Sequence, residues 1–235
     1  MIGGTLIIVP ARAGSKGLPG KNTKLLGGMP LVSHTLIFAE KIKDSQDVIC
    51  VSSNDGLVLS IAKQFNGVEV PFKRPEELSS DAAGSYEVIM HAINYYEGKG
   101  ITFRNVLLLQ VTSPFRELED YNNLRNNYSE KVDMVVSVTV SKNNPYFNIF
   151  EETKSGYLVK SKESKAIIRQ DCPDVYVYNG SMYLINVKSL KNSNFHGFTK
   201  IVKYVMPDER SIDIDTMKDW KIAEYFLKEL NNENS

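Results

Sequence analysis

The chain has 235 residues, 28 basic and 28 acidic side chains, 42% hydrophobic residues and 24% charged residues. That length can bury a substantial core and sets the expectation of one α/β domain spanning 1–235. The neutral balance argues against a nucleic-acid partner, the apolar runs are too short to cross a membrane, and two cysteines, Cys50 and Cys172, make no disulfide framework.

Residues 6–9 form an apolar run that reads as a buried strand. It feeds a loop containing Gly14, Gly17 and Gly20, in which Arg12, Lys16, Lys21 and Lys24 also fall. No acidic residue precedes Glu40, so this basic excess is local. Glycines let a backbone approach a ligand closely, and free N–H groups form anion-binding concavities. A strand followed by a flexible basic loop is the arrangement expected of a phosphate cradle. It is not a P-loop, because five residues separate Gly14 from Gly20 and Asn22 follows Lys21. It is not a dinucleotide fingerprint either, since Ala13 and Ser15 flank Gly14. Any one of these lysines fits a solvated surface turn; four cations, three glycines and Asn22 together fit it poorly.

Further strand-like runs lie at 48–52, 68–71, 106–110 and 134–140, with helical patterns between them. Pro30 suits a first helical position, followed by Leu31, Leu36 and Ala39 on a buried side. Asp55 is a candidate cap before Leu57, Ile61 and Ala62. Ser85 precedes Val88, Ile89, Ala92 and Ile93 at helical spacing, and Glu117 opens another helix. This alternation predicts a mostly parallel sheet with helices on both faces. The loops after Val9, Ser52, Pro71 and Gln110 are then expected to converge on one ligand site. The rhythm changes at 142–175, where 143–150 and 156–159 look like short strands around a turn. This stretch reads as an inserted β-rich arm whose exposed aromatics suit a dimer contact. Asn179 lies between two strand-like segments. Residues 217–230 read as a final helix with Ile222, Phe226 and Leu230 on one side.

Several residues carry chemistry on these terms. Arg12, Lys21 and the loop amides supply cationic and N–H contacts for a triphosphate, with Ser15 as a hydroxyl donor and Asn22 as an amide. Asp213 and Asp215 are two apart, so an extended segment puts them on one face. Two adjacent carboxylates are costly unless a cation lies between them, and such oxygens suit Mg²⁺. On spacing alone, an Asp capping the helix near Thr216 beside an unrelated surface Asp is an equal reading. Arg74 alone fits a surface ion pair with Glu76 or Glu77. Gln110 ends a strand, where its amide either faces a cleft or caps the backbone. His34, His91 and His196 lack metal-ligand spacing, and Cys50, in an apolar run, reads as a small core residue.

The stretch Val9-Pro-Ala-Arg-Ala-Gly-Ser-Lys-Gly-Leu-Pro-Gly-Lys-Asn22 resembles the opening signature of the acylneuraminate cytidylyltransferases, the CMP-sialic acid synthetases. Four further blocks follow in the family's order: Lys73-Arg-Pro-Glu-Glu-Leu-Ser-Ser-Asp81, Leu107-Leu-Leu-Gln-Val-Thr-Ser-Pro-Phe-Arg116, Tyr178-Asn-Gly-Ser-Met-Tyr183 and Ser211-Ile-Asp-Ile-Asp-Thr216. The resemblance implies a Rossmann-like nucleotidyltransferase sheet with a small β-rich dimerisation arm, and transfer of CMP from CTP to an acidic nonulosonate with release of pyrophosphate. It implies that Arg12 and Lys21 act in catalysis and that Ser15 and Lys21 hold phosphates. Asn22, Arg74 and Ser85 would contact the cytosine and its surroundings. Gln110 would contact the acceptor, Asn179 the acceptor or the neighbouring nucleotide, and Arg169 the sugar carboxylate from the same or the other subunit of a homodimer. Asp213 and Asp215 would bind Mg²⁺.

The chain departs from the family pattern in places. Arg12-Ala-Gly stands where many relatives have Arg-Gly-Gly, and Val111 follows Gln110 where Pro is common. Aromatics follow Pro145 where sialate-specific members often place a Lys, a change suited to a less polar acetamido-deoxy acceptor such as legionaminate. Two other functions compete. One is the same fold serving an eight-carbon keto acid or a sugar 1-phosphate. The other is a non-catalytic nucleotide-binding regulator, which has no need of paired aspartates. The opening Met1-Ile-Gly-Gly lacks the features of a signal peptide, so the expected compartment is cytoplasmic.

Overall fold

In the computed structural model, residues 4–14, 17–80 and 84–233 are described, with side chains to residue 230. In chain order the strands are β1 (Thr5–Pro10), β2 (Leu25–Leu26), β3 (Met29–Pro30), β4 (Val48–Ser52), β5 (Val68–Glu69), β6 (Asn105–Leu109), β7 (Met134–Val140), β8 (Phe150–Glu152), β9 (Leu158–Lys160), β10 (Tyr176–Asn186) and β11 (Ile201–Val205). The helices are α1 (Leu31–Ile42), α2 (Gly56–Ala62), α3 (Ser85–Glu97), α4 (Leu118–Asn126), α5 (Val187–Ser193) and α6 (Met217–Glu233). Seven strands form one sheet in the order β11-β7-β10-β6-β1-β4-β5. Only β10 runs antiparallel to its neighbours; the remaining pairs are parallel.

The apolar run that opens the chain is buried on both faces of this sheet, as a central parallel strand requires. Alternate side chains enter two separate cores. Ile7 and Val9 join a layer with Leu36 of α1, Val58 of α2, Leu124 of α4 and Trp220 of α6. Leu6 and Ile8 join the opposite layer with Ile89 and Ile93 of α3 and Leu190 of α5. Cys50 is fully buried in that second layer, and burial pushes its thiol up to about 12. Each fully buried Leu or Ile contributes roughly 1.5–3 kcal/mol.

Local signals fix the helix starts. Pro30 occupies the N-cap position of α1. The Asp55 carboxylate accepts the Leu57 N–H at 2.9 Å and starts α2. Glu117 and Asp120 form a capping box on α4. In α6 the buried stripe is Trp220, Ala223, Phe226, Leu227 and Leu230. Ile222 is 46% exposed, contrary to its expected place on the buried side. It follows Trp220 by two positions, about 200° around the helix, so the two cannot share a face.

The arm also differs in detail from expectation. Residues 143–149 form a turn, in which the Asn144 carbonyl accepts the N–H groups of Phe147, Asn148 and Ile149. Only β8 and β9 pair, as a short antiparallel hairpin. The two strand-like segments around Asn179 are one strand, β10, whose pairing with β7 shifts register between Tyr178 and Tyr183.

The sheet order places the crevice. From β1 the chain moves to one side through β4 and β5, then returns to β1's other side as β6. Ligands bind beyond the carboxyl ends of strands at such a reversal.

Candidate active site

At that reversal lies a cleft of about 450 Å³. It gathers Pro10 and Ala11 from the end of β1, Arg12, Gly17, Lys21 and Asn22 from the following loop, Arg74, Ser85 at the start of α3, Gln110 beyond β6, and Asp215. Seven of the expected site residues therefore line one cleft: Arg12, Lys21, Asn22, Arg74, Ser85, Gln110 and Asp215. Ser15 lies outside the described residues, as do Lys16 and Asp81.

The basic loop is tied to its neighbours by polar contacts. Lys21 is 6% exposed. Its ammonium donates to the Ile214 carbonyl at 2.5 Å and to Asp215 Oδ1 at 2.9 Å. Gly17 makes this approach possible, since a Cβ there would lie 2.3 Å from the Asp215 carbonyl oxygen. The Asn22 amide donates to the Arg12 carbonyl at 3.0 Å, and Arg12 Nη1 donates to the Ser79 carbonyl at 3.3 Å.

The segment after β4 bolts these pieces together, and the sequence reading missed it. Ser53 Oγ donates to the Ala11 carbonyl at 2.5 Å, and Asn54 Oδ1 accepts the Ala13 N–H at 2.8 Å. Arg74 donates through Nε to Ser52 Oγ at 3.0 Å and through Nη2 to the Ser52 carbonyl. Arg74 is thus a buried group on serine oxygens, not a surface ion pair with Glu76 or Glu77. Burial, reinforced by the charge of Arg12, pushes its guanidinium down to about 10. The available signal was the polar run Ser52-Ser-Asn-Asp55 at the carboxyl edge of a buried strand.

Gln110, which lines the cleft, meets Asp213 over Gly180; Asp213 and Gly180 are not themselves among the residues that line it. A Cβ at Gly180 would lie 2.9 Å from Asp213 Oδ2 and 3.4 Å from Gln110 Oε1. Gly180 also has φ +72°, a conformation that glycine adopts without penalty. The Asn179 side chain faces inward. Its Oδ1 accepts from Ser137 Oγ at 2.7 Å and from the Ser181 N–H at 3.2 Å, while its Nδ2 donates to Ser211 Oγ at 2.8 Å. Asn179 therefore holds the segment that leads into Asp213. Arg169 is on the arm, exposed, and donates to the Ser141 carbonyl at 3.0 Å. It lines a separate groove with Lys142, Met206 and Asp208.

Capping does not occupy the paired aspartates. The cap of α6 is Thr216 with Asp219, whose Oδ2 accepts the Thr216 N–H at 2.8 Å and the Asp215 N–H at 3.2 Å. Ile214 between the aspartates is fully buried, and the Asp215 side chain is 69% exposed. Asp213 Oδ1 is buried without a hydrogen-bond partner. Burial raises the Asp213 carboxyl above its ordinary range against an opposing hydrogen bond from the Thr112 side chain, and the charge of Asp215 adds to the rise. An orphaned buried carboxylate oxygen beside a second carboxylate fits a divalent cation that takes one or two carboxylates plus phosphate oxygens. Among the described residues, no group of three or more His, Cys, Asp or Glu side chains offers a metal site.

A second chamber of about 320 Å³ adjoins the cleft, sharing Ser85, Leu108 and Gln110. Its far walls include Tyr178, Tyr183, Phe195 and Met134.

A mostly parallel sheet with a basic glycine loop and Asp215 at its reversal point suits a nucleotidyltransferase. A family model described as cytidylyltransferase matches residues 6–201, and the chain belongs to that family. It is 34% identical over 231 residues to the CMP-N,N'-diacetyllegionaminic acid synthase of Legionella pneumophila, covering 97% of each chain. It is 33% identical to an N-acylneuraminate cytidylyltransferase of Streptococcus agalactiae, over 92% of this chain and 51% of that protein. Among solved structures, a CMP:2-keto-3-deoxy-manno-octonic acid synthetase complexed with CTP superposes with TM-score 0.66 at 13% identity, over 96% of this chain and 98% of that one. The expected kinship with the acylneuraminate cytidylyltransferases therefore holds, and the protein is an enzyme of cytidylyl transfer.

Proposed function

We propose that this enzyme transfers CMP from CTP to the anomeric hydroxyl of a nonulosonic acid of the N-acylated, deoxygenated kind exemplified by legionaminic acid. The hydroxyl oxygen forms a bond to the α-phosphorus of CTP and releases its proton to solvent, the bond from that phosphorus to the bridging oxygen breaks, and pyrophosphate leaves. Few reacting groups are needed from the protein; positioning and charge stabilisation carry such a step. Arg12, Ser15 and Lys21 bind the phosphates, Asn22, Arg74 and Ser85 hold the cytidine, and Gln110 faces the acceptor. Asp213 and Asp215 hold Mg²⁺, which when bound neutralises charge on the phosphates. Asn179 serves the acceptor side through the Ser211 contact, and Arg169 meets the sugar carboxylate from the partner subunit of a homodimer built on the arm. We assign the enzyme to the cytoplasm, where CTP is available.

One observation carries the choice of acceptor. Away from Ser85 and Gln110, the second chamber is walled by Leu108, Met134, Tyr178, Tyr183, Phe195 and Ile201, a mostly apolar and aromatic lining. Such walls favour acylamino and deoxy substituents over a ring bearing only hydroxyls. The deciding experiment measures pyrophosphate release with CTP against a panel of acceptors, with the mass of each product. The panel holds N-acetylneuraminate, N,N'-diacetyllegionaminate and an eight-carbon 2-keto acid. Preference for legionaminate supports the proposal. Preference for the eight-carbon acid, or CTP binding without turnover on any acceptor, overturns it.

A further inference from the structure

Arg116 was not assigned a role by the motif that contains it, yet it is one of the most costly residues in the fold. It is 6% exposed, and burial pushes its guanidinium down to about 9, with Asp120 opposing. Its hydrogen bonds go to neutral oxygens: Nη1 donates to the Gln110 carbonyl at 3.0 Å and to the Ser181 carbonyl at 2.8 Å, and Nη2 donates to Thr35 Oγ1 at 2.7 Å. A buried cation without a carboxylate in hydrogen-bond contact carries a desolvation penalty that neutral partners only partly offset.

The position of those carbonyls explains what the cation does. Regular pairing between β6 and β10 ends at Leu109 and Met182. One step further, β10 departs from its ladder, and the Gln110 N–H reaches the Ser181 carbonyl only at 3.4 Å. Arg116 enters at that step and joins both strands through one nitrogen. Beyond the clamp on one strand is the Gln110 side chain; beyond it on the other is Gly180, where Gln110 Oε1 and Asp213 Oδ2 converge.

We infer that Arg116 is a positioning residue for the acceptor half of the site, setting the spacing of Gln110 from Gly180 and Asp213 where the β-ladder no longer does so. The inference rests on the CTP and nonulosonate reading above. Arg116 makes none of the hydrogen bonds that order Lys21, Asn22 or Arg74. Its loss therefore changes acceptor use and leaves nucleotide binding intact.

The test compares Arg116→Met, Arg116→Lys and Thr35→Val. Turnover is measured against each substrate in turn, and CTP affinity is measured calorimetrically without acceptor. Arg116→Met is expected to lower kcat/KM for the acceptor by about 10–100-fold, the scale of a displaced reacting group, with CTP affinity within about twofold of wild type. Arg116→Lys keeps a donor near one carbonyl and recovers part of the loss. Thr35→Val leaves both carbonyl bonds and is near wild type. A purely structural role gives another pattern, with fewer competent molecules, lower CTP stoichiometry and both KM values unchanged. That pattern overturns the inference, as does a parallel loss of CTP affinity. If Arg116→Met does not fold, Arg116→Lys decides: a selective acceptor defect supports the inference and an unchanged one refutes it. A wild-type enzyme that transfers CMP to no nonulosonate sinks the parent reading instead, so the two failures are distinguishable.

Discussion

Gly17→Ala adds one methyl group at the point where the basic loop meets the aspartate segment. The new Cβ would lie 2.3 Å from the Asp215 carbonyl oxygen and 3.3 Å from its carbonyl carbon. Relief to an ordinary contact of 3.4 Å demands a shift of about 1 Å. The obstacle is backbone, not the tip of a flexible side chain, and it is held on several sides. The Ile214 N–H donates to the Thr112 carbonyl at 2.8 Å, and the Asp215 N–H donates to Asp219. Whichever strand of chain yields, Lys21 and Asp215 change their relative position. A displacement of about 1 Å at a reacting centre costs on the order of 10²-fold in rate, about 2.7 kcal/mol in the barrier. The assay is steady-state pyrophosphate release with CTP and acceptor, accompanied by a thermal melt. Gly56→Ala is the control, because its Cβ meets open space at the start of α2. The expected result is a folded Gly17→Ala enzyme with kcat/KM reduced about 100-fold and a Gly56→Ala enzyme unchanged. A folded Gly17→Ala variant within twofold of wild type refutes the claim that this close contact sets the geometry of the site.

Lys21→Ala is expected to lose most turnover, about 2–4 kcal/mol in the activation barrier, as for a lost preorganised donor; a folded variant with near-normal kcat/KM removes Lys21 from the chemistry. CTP is expected to outperform UTP, with no useful activity on purine triphosphates, because sites that leave buried polar groups unpaired reject analogues strongly; equal kcat/KM for CTP and GTP contradicts the assignment of Arg74 and Ser85. The arm exposes Phe150, Tyr157, Leu158 and Val159, so a two-fold dimer is expected in solution by sedimentation, and a monomer at assay concentration rejects it. If Arg169 then acts on the partner's acceptor, mixing Arg169→Ala with Lys21→Ala subunits restores activity, because one site in the heterodimer keeps both groups. A verified heterodimer without recovery shows that Arg169 does not serve a shared site.

The parallel core was legible because its strands are continuous apolar runs between caps of ordinary chemistry, such as Asp55 and Glu117. The gathering of the expected site residues at one cleft was legible because they are close in sequence or stand just beyond a strand end, as Gln110 does. What the sequence hid depends on contacts between distant segments. Nothing in the local pattern around Arg74 shows that Ser52 will receive its guanidinium from 22 positions away. Nothing around Asn179 shows that its amide will turn inward to Ser137 and Ser211, at separations of 42 and 32. The antiparallel β10 was read as two pieces because its polar Asn-Gly-Ser centre interrupts the apolar pattern. That centre is where the strand leaves its ladder and meets Asp213. Ile222 misled for a simpler reason: an apolar residue on a helix does not reveal which stripe is buried when Trp220, Ala223 and Leu227 define a competing one.

The contacts of Lys21 bear on how the site meets its nucleotide. A free lysine loses roughly 2 kcal/mol of rotamer entropy when a ligand immobilises it. Here the side chain is already held by the Ile214 carbonyl and Asp215, so most of that ordering is complete before a triphosphate arrives. The price is that the phosphate must compete with Asp215 for the ammonium. That competition is mild, because the Asp215 side chain is 69% exposed and its charge is screened by water. Asp213 presents the opposite case, a mostly buried carboxylate whose Oδ1 makes no well-formed hydrogen bond, although Thr112 and the charge of Lys21 favour its ionised form. One carboxylate therefore holds the lysine in place while remaining easy to displace, and the other retains an unmet demand for positive charge. On the proposed reading, a cation carried in with the triphosphate would meet that demand as its phosphates took over Lys21, and the two aspartates would favour the nucleotide together with its metal over either alone.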